Sequence, residues 1–98
     1  MLSSRENETK KISRIFNALG NETRVKIILL VKETKRPLHI KAIAQMLGID
    51  YAALYRHVQV LDKCGVVEIY NVGRSRVLEL KNADALNQLI EITKKMIQ

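Results

Sequence analysis

The apolar residues of this chain change period at Gly65, from that of helices to that of strands, and that change excludes most folds open to a chain of its length. Upstream, Ile40, Ile43, Ala44 and Leu47, then Leu54, Val58 and Leu61, recur at the three- and four-residue spacing of amphipathic helices. Downstream, Val67 and Ile69 alternate with Glu68 and Tyr70, and Arg76, Leu78 and Leu80 alternate with Val77 and Glu79. That is the two-residue period of strands. Gly48, Ile49 and Asp50 separate the two helices. Gly48 suits the left-handed residue that closes a helix, and Asp50 suits the N-cap of the next. The spacing therefore predicts a helix-turn-helix over 40–64 followed by a β-hairpin over 66–80, turning at Asn71–Arg74.

The flanks extend this core. Ile12, Ile15, Phe16 and Leu19 predict a first helix from about Thr9, with a flexible polar tail over 1–8. Gly20 ends that helix. Asn21 caps a second from Glu22 to Glu33, whose run Val25, Ile27, Ile28, Leu29, Leu30 and Val31 marks it as the central one. A short strand over Arg36–Leu38 can join the hairpin. Asn82 can cap a last helix over 83–97, with Leu86, Leu89, Ile90, Thr93, Met96 and Ile97 at helical spacing. The expected fold is mainly α with a small β-hairpin (α+β), one winged-helix domain over 1–98. With 47% hydrophobic residues but one Phe, three Tyr and no Trp, its core must be built of Ile, Leu and Val.

A helix-turn-helix presents its second helix to the DNA major groove, which is about 12 Å wide and admits one helix. The net charge of +7 favours a polyanionic partner. Opposite the Leu54–Val58–Leu61 stripe lie Ala52, Tyr55, Arg56, Gln59 and Lys63, with Tyr51 in the first turn. Arg56 can pair bidentately with guanine and Gln59 with adenine, while Ala52 permits close approach to a thymine methyl. Arg74 and Arg76 sit at the hairpin, where guanidinium groups suit phosphates and a narrow minor groove. His57 falls beside the core stripe and is expected to be a packed edge residue bonded to backbone. Cys64 reads as a small buried hydrophobe.

Four motifs in order also resemble the ArsR-like winged-helix repressors of bacteria and archaea. They are Ala18-Leu19-Gly20-Asn21-Glu22-Thr23-Arg24-Val25-Lys26-Ile27-Ile28, Ile43-Ala44-Gln45-Met46-Leu47-Gly48-Ile49, the stretch from Leu54 to Val67, and Tyr70-Asn71-Val72-Gly73-Arg74-Ser75-Arg76. The resemblance implies a sequence-specific DNA-binding repressor. Its metal-sensing motifs are missing. His39 and Lys41 stand where one family site has a Cys-x-Cys pair, and Asp84 is followed by Ala85 and Leu86 where another has Asp-x-His. With two His and one Cys in all, no zinc site within the chain, and no other cofactor, is expected.

Apolar residues in excess of one small core, Ile12, Ile15 and Phe16 at one end and Leu86, Leu89, Ile90, Met96 and Ile97 at the other, predict a homodimer built on the first and last helices. No Gly-rich phosphate loop or nucleophile elbow is present, so no enzyme is expected. The polar N-terminus has no apolar signal region and no apolar run could span a bilayer, so a cytoplasmic protein is expected. Two other functions fit the same pattern: a chromatin-like DNA binder of low specificity, and a winged helix that binds only protein.

Overall fold

The computed structural model describes the backbone from Leu2 to Gln98 and the side chains from Ser4 onward. In chain order the elements are α1 (Leu2–Leu19), α2 (Glu22–Thr34), β1 (Leu38–His39), α3 (Ile40–Leu47), α4 (Tyr51–Lys63), β2 (Val67–Val72), β3 (Ser75–Leu80) and α5 (Ala83–Ile97). The strands form one antiparallel sheet in the order β1-β3-β2. This is the winged helix-turn-helix architecture that the change of period predicts.

Local chemistry fixes the corners. The Asn21 side chain accepts the Arg24 N–H at 3.1 Å, capping α2. Gly48 closes α3 with φ +65°, a left-handed conformation that costs glycine little. Asp50 then accepts the Ala53 N–H at 3.4 Å and starts α4. In the hairpin Val72 pairs with Ser75, so Gly73 and Arg74 alone make the turn. Gly73 has φ +61° and Arg74 does not have positive φ, the pattern of a type II′ turn. The turn is thus two residues tighter than the Asn71–Arg74 loop expected from sequence.

The core joins α2, α3, α4 and the sheet. Ile27, Ile40, Ile43, Leu54, Leu61, Leu78, Val58 and Val67 are its largest fully buried side chains. β1 pairs Leu38 with Leu78 and His39 with Val77, one residue later than the expected Arg36–Leu38 strand. His39 is also the N-cap residue of α3, so β1 runs directly into the helix-turn-helix.

The flexible tail expected over 1–8 is corrected from Leu2 onward, because α1 already runs from that residue; Met1 lies outside the described residues. Arg5, Glu6 and Glu8 are adequate helix formers. Their helix is polar all round, so no apolar period marked it. Residues 4–14 are all exposed, and this part of α1 stands away from the core. No helix among the described residues is long and apolar enough to cross a membrane.

Candidate nucleic-acid interface

α4 buries Leu54, Val58 and Leu61 and turns the opposite face outward. Tyr51, Ala52, Arg56, Gln59 and Lys63 are exposed on it, as the helical spacing predicts. Tyr55 is not. Its ring stacks on Tyr51, with centroids 6.0 Å apart and planes 10° from parallel, and the Arg76 guanidinium lies 4.8 Å from its centroid on β3. Tyr55 is half-buried against the core. The structure thus places Tyr55 and Arg76 together as the joint between α4 and the wing, where helical spacing alone puts Tyr55 on the outer face. The cation–π contact links the wing to the helix, and the stack orders the Tyr55 ring that receives it.

The wing has two unlike faces. Strand alternation puts Arg76 on the side that meets α4, together with Leu78. Glu68, Tyr70 and Glu79 occupy the other side, Glu68 opposite Glu79 and Tyr70 opposite Val77. There burial pushes the Tyr70 phenol above its ordinary range, and Glu79 and Glu68 add to the shift. Arg74 is exposed at the turn itself. Among the described residues, Arg56, Lys63, Arg74 and Arg76 make no salt bridge; the ion pairs present are Lys26–Glu22, Lys32–Glu91 and Lys94–Glu91. The exposed cations of the α4 face and wing thus have no salt-bridge partner among the described residues.

A buttress behind α4 was not legible in sequence. Arg24, on α2, donates from Nε to the Ala18 carbonyl at 2.6 Å, and one terminal nitrogen reaches the Asn17 carbonyl at 3.4 Å. Its other terminal nitrogen lies 3.2 Å from His57 Nδ1 on α4. The cation satisfies carbonyls at the end of α1, where a positive charge is favoured by the helix dipole. It also ties the α1–α2 corner to α4. His57 is therefore held by a side chain and not by backbone as expected. Nδ1 must be the unprotonated nitrogen to accept this bond, which leaves the proton on Nε2. Cys64 is half-buried and its thiol donates to the Leu61 carbonyl at 3.4 Å. No group of three or more His, Cys, Asp or Glu among the described residues could hold a metal ion.

A second surface lies across the molecule. Phe16, Val25, Leu29, Leu89, Ile90 and Ile97 line an apolar groove of about 480 Å³ between α1, α2 and α5. Phe16 is 59% exposed, Ile12 44%, and Met96 and Ile97 each 81%. Ile15, Leu89 and Ile90 are half-buried. Leu86 lines the same groove but is only 7% exposed and packs into the chain's own core, as the anchor of α5. Beyond Leu86, α5 is tied to α2 by the Lys32–Glu91 pair at 3.5 Å. The Lys94 hydrogen bond holds the Glu91 carboxyl below the usual carboxylate range.

The same architecture recurs in solved structures. Among them is the homodimeric winged helix-turn-helix DNA-binding domain of Mb0332 from Mycobacterium bovis, a possible ArsR-family transcriptional regulator (TM-score 0.82, 20% identity, 93% of this chain and 84% of that one). HlyU from Vibrio cholerae superposes with a TM-score of 0.77 at 18% identity, over 95% of this chain and 99% of that one. The transcriptional repressor BigR from Xylella fastidiosa gives 0.70 at 18% identity, over 94% and 95%. The fold is thus the winged helix of ArsR-like regulators. Within it, the chain belongs to the HVO_A0114 family, whose model matches residues 21–84. No curated protein matches the sequence significantly.

Proposed function

We propose that the chain is a homodimeric, sequence-specific double-stranded DNA-binding protein that regulates transcription, as a repressor. The carrying observation is the set of exposed cations on α4 and the wing, none in a salt bridge among the described residues, mounted on a helix-turn-helix. Arg56 and Gln59 read base edges in the major groove. Tyr51, Ala52 and Lys63 line the approach. Arg74 contacts phosphate or the minor groove, and Arg76, already stacked on Tyr55, contributes charge from the joint.

A second copy of the chain covers the α1–α2–α5 groove. An apolar surface that includes Phe16, Met96 and Ile97 is costly to leave in water. The exposed turns of α1 also lack tertiary support, and short helices are marginal alone. The homodimeric state and DNA binding of Mb0332, and the repressor role of BigR, support the reading. In a two-fold dimer the recognition helices enter successive major grooves about 34–36 Å apart.

Selection of protein-bound duplexes from a random pool tests the proposal. An inverted repeat with half-sites centred about 10–10.5 base pairs apart is the expected product. Binding with a steep salt slope but no enriched sequence would favour the low-specificity DNA binder instead. An absence of duplex binding would favour the protein-binding winged helix.

A further inference from the structure

The sheet has three strands only over part of β3. β1 pairs with β3 at Val77 and Leu78, so Ser75 and Arg76 are paired with β2 alone, opposite Val72 and Asn71. A two-stranded ribbon is marginal by itself and gains stability by packing on another element. Here one such contact is made by Arg76, whose guanidinium lies 4.8 Å from the centroid of the Tyr55 ring on α4. That ring is itself ordered. Tyr51, one helical turn earlier, stacks on it, and Tyr55 packs against the core.

The contact uses the face of the cation and leaves its edge. A guanidinium is planar and its five N–H donors point outward in that plane, so a ring over its face occupies none of them. Nor are they engaged elsewhere. Among the described residues the arginine side-chain hydrogen bonds all belong to Arg24, and no salt bridge reaches Arg76. Strand alternation keeps Glu68 and Glu79 on the opposite face of the sheet. Arg76 nonetheless stays exposed. Arg74, at the turn, is exposed too but has no ring beneath it among the described residues.

We infer that Tyr55 is a positioning residue that holds Arg76 ready as a phosphate clamp beside α4, and that Tyr55 itself reads no base. This deepens the DNA-binding reading of α4 and the wing and rests on it. A long side chain loses rotamer freedom when it fixes an anion, and that loss opposes binding. Stacked on Tyr55, Arg76 has given up part of that freedom before DNA arrives. A phosphate of the DNA backbone is the fitting partner, because the free edge can offer two parallel N–H groups to two of its oxygens. Every nucleotide carries the same phosphate, so the clamp adds affinity without sequence preference.

The experiment has one arm without DNA and one with it. In NMR spectra of the DNA-free chain, the Arg76 side-chain δ protons should lie upfield of those of Arg74, shifted by the Tyr55 ring current. Tyr55→Leu should abolish that difference and Tyr55→Phe should retain it. The second arm measures binding to one duplex of mixed sequence over a series of chloride concentrations. Arg76→Gln should flatten the log-log salt slope by about 0.9, the loss of one phosphate contact. Tyr55→Leu keeps the charge but should weaken binding by about three- to tenfold, the ordering cost of one long side chain. Tyr55→Phe, which keeps the ring face, should restore affinity to within about twofold of wild type. In the Arg76→Gln background, Tyr55→Leu should cost less than about twofold more, because the ring acts through the cation. The inference is overturned if the Arg76 and Arg74 δ protons coincide in wild type, if Tyr55→Leu binds as wild type does, or if it loses as much affinity without Arg76 as with it. A wild-type chain that binds no duplex at low salt would refute the DNA-binding reading itself, and the clamp with it.

Discussion

Replacing Arg24 by leucine should destabilise the protein by about 2–3 kcal/mol. The leucine keeps an apolar stem but removes the guanidinium contacts to the Ala18 carbonyl at 2.6 Å and to His57 at 3.2 Å. The 3.4 Å contact to Asn17 is too long to add much. Hydrogen bonds to charged groups contribute about 1.5–3 kcal/mol each. The site is only part-buried, so water recovers some of that in the variant. For a domain of this size the loss lowers Tm by about 10–20 °C. Urea unfolding at fixed protomer concentration is the assay, and an unchanged m-value is required for the comparison. The partner of the bond is tested by a double-mutant cycle with His57→Leu, which should show a coupling of at least ~0.5 kcal/mol. A loss below about 0.5 kcal/mol for Arg24→Leu would refute the buttress, and zero coupling would refute its link to α4.

Three further outcomes are expected. Arg56→Ala and Gln59→Ala should each relax specificity at one base pair per half-site, costing about 1–3 kcal/mol, whereas Arg74→Ala should weaken all duplexes alike and flatten the salt slope by roughly 0.9 for each phosphate no longer neutralised; competition binding at several salt concentrations separates the two patterns. Leu89→Asp should convert a dimer to a monomer in sedimentation at micromolar protomer, because it places a charge in the apolar groove. Chelator, zinc, peroxide and Cys64→Ala should each leave DNA affinity within about twofold, a difference under ~0.5 kcal/mol; a tenfold loss with zinc or peroxide, absent in Cys64→Ala, would show a thiol sensor.

The parts legible in sequence were those set by local rules. The stripe Leu54–Val58–Leu61, the caps Asn21 and Asp50, and the switch to alternation after Gly65 each depend on near neighbours, and all stand in the structure. What the sequence hid depends on distance along the chain. The Arg24–His57 contact spans 33 positions. Arg76 reaches Tyr55 across the hairpin, so a wheel of α4 alone turned Tyr55 to solvent. Leu86 has the same spacing as Leu89 and Ile90, and only the packed core shows that it is the buried anchor among the residues lining the groove. The first turns of α1 were hidden for the opposite reason: a helix exposed all round has no apolar period to read.

The central claim is that the outer face of α4 and the wing tip bind duplex DNA. Mapping backbone amide shifts during titration with duplex DNA tests it most directly. The account predicts the largest changes at Tyr51–Lys63 and at Val72–Arg76, with little change on the groove side around Val25 and Leu29. Changes concentrated on that groove side, or no changes at all with duplex DNA in excess, would contradict it.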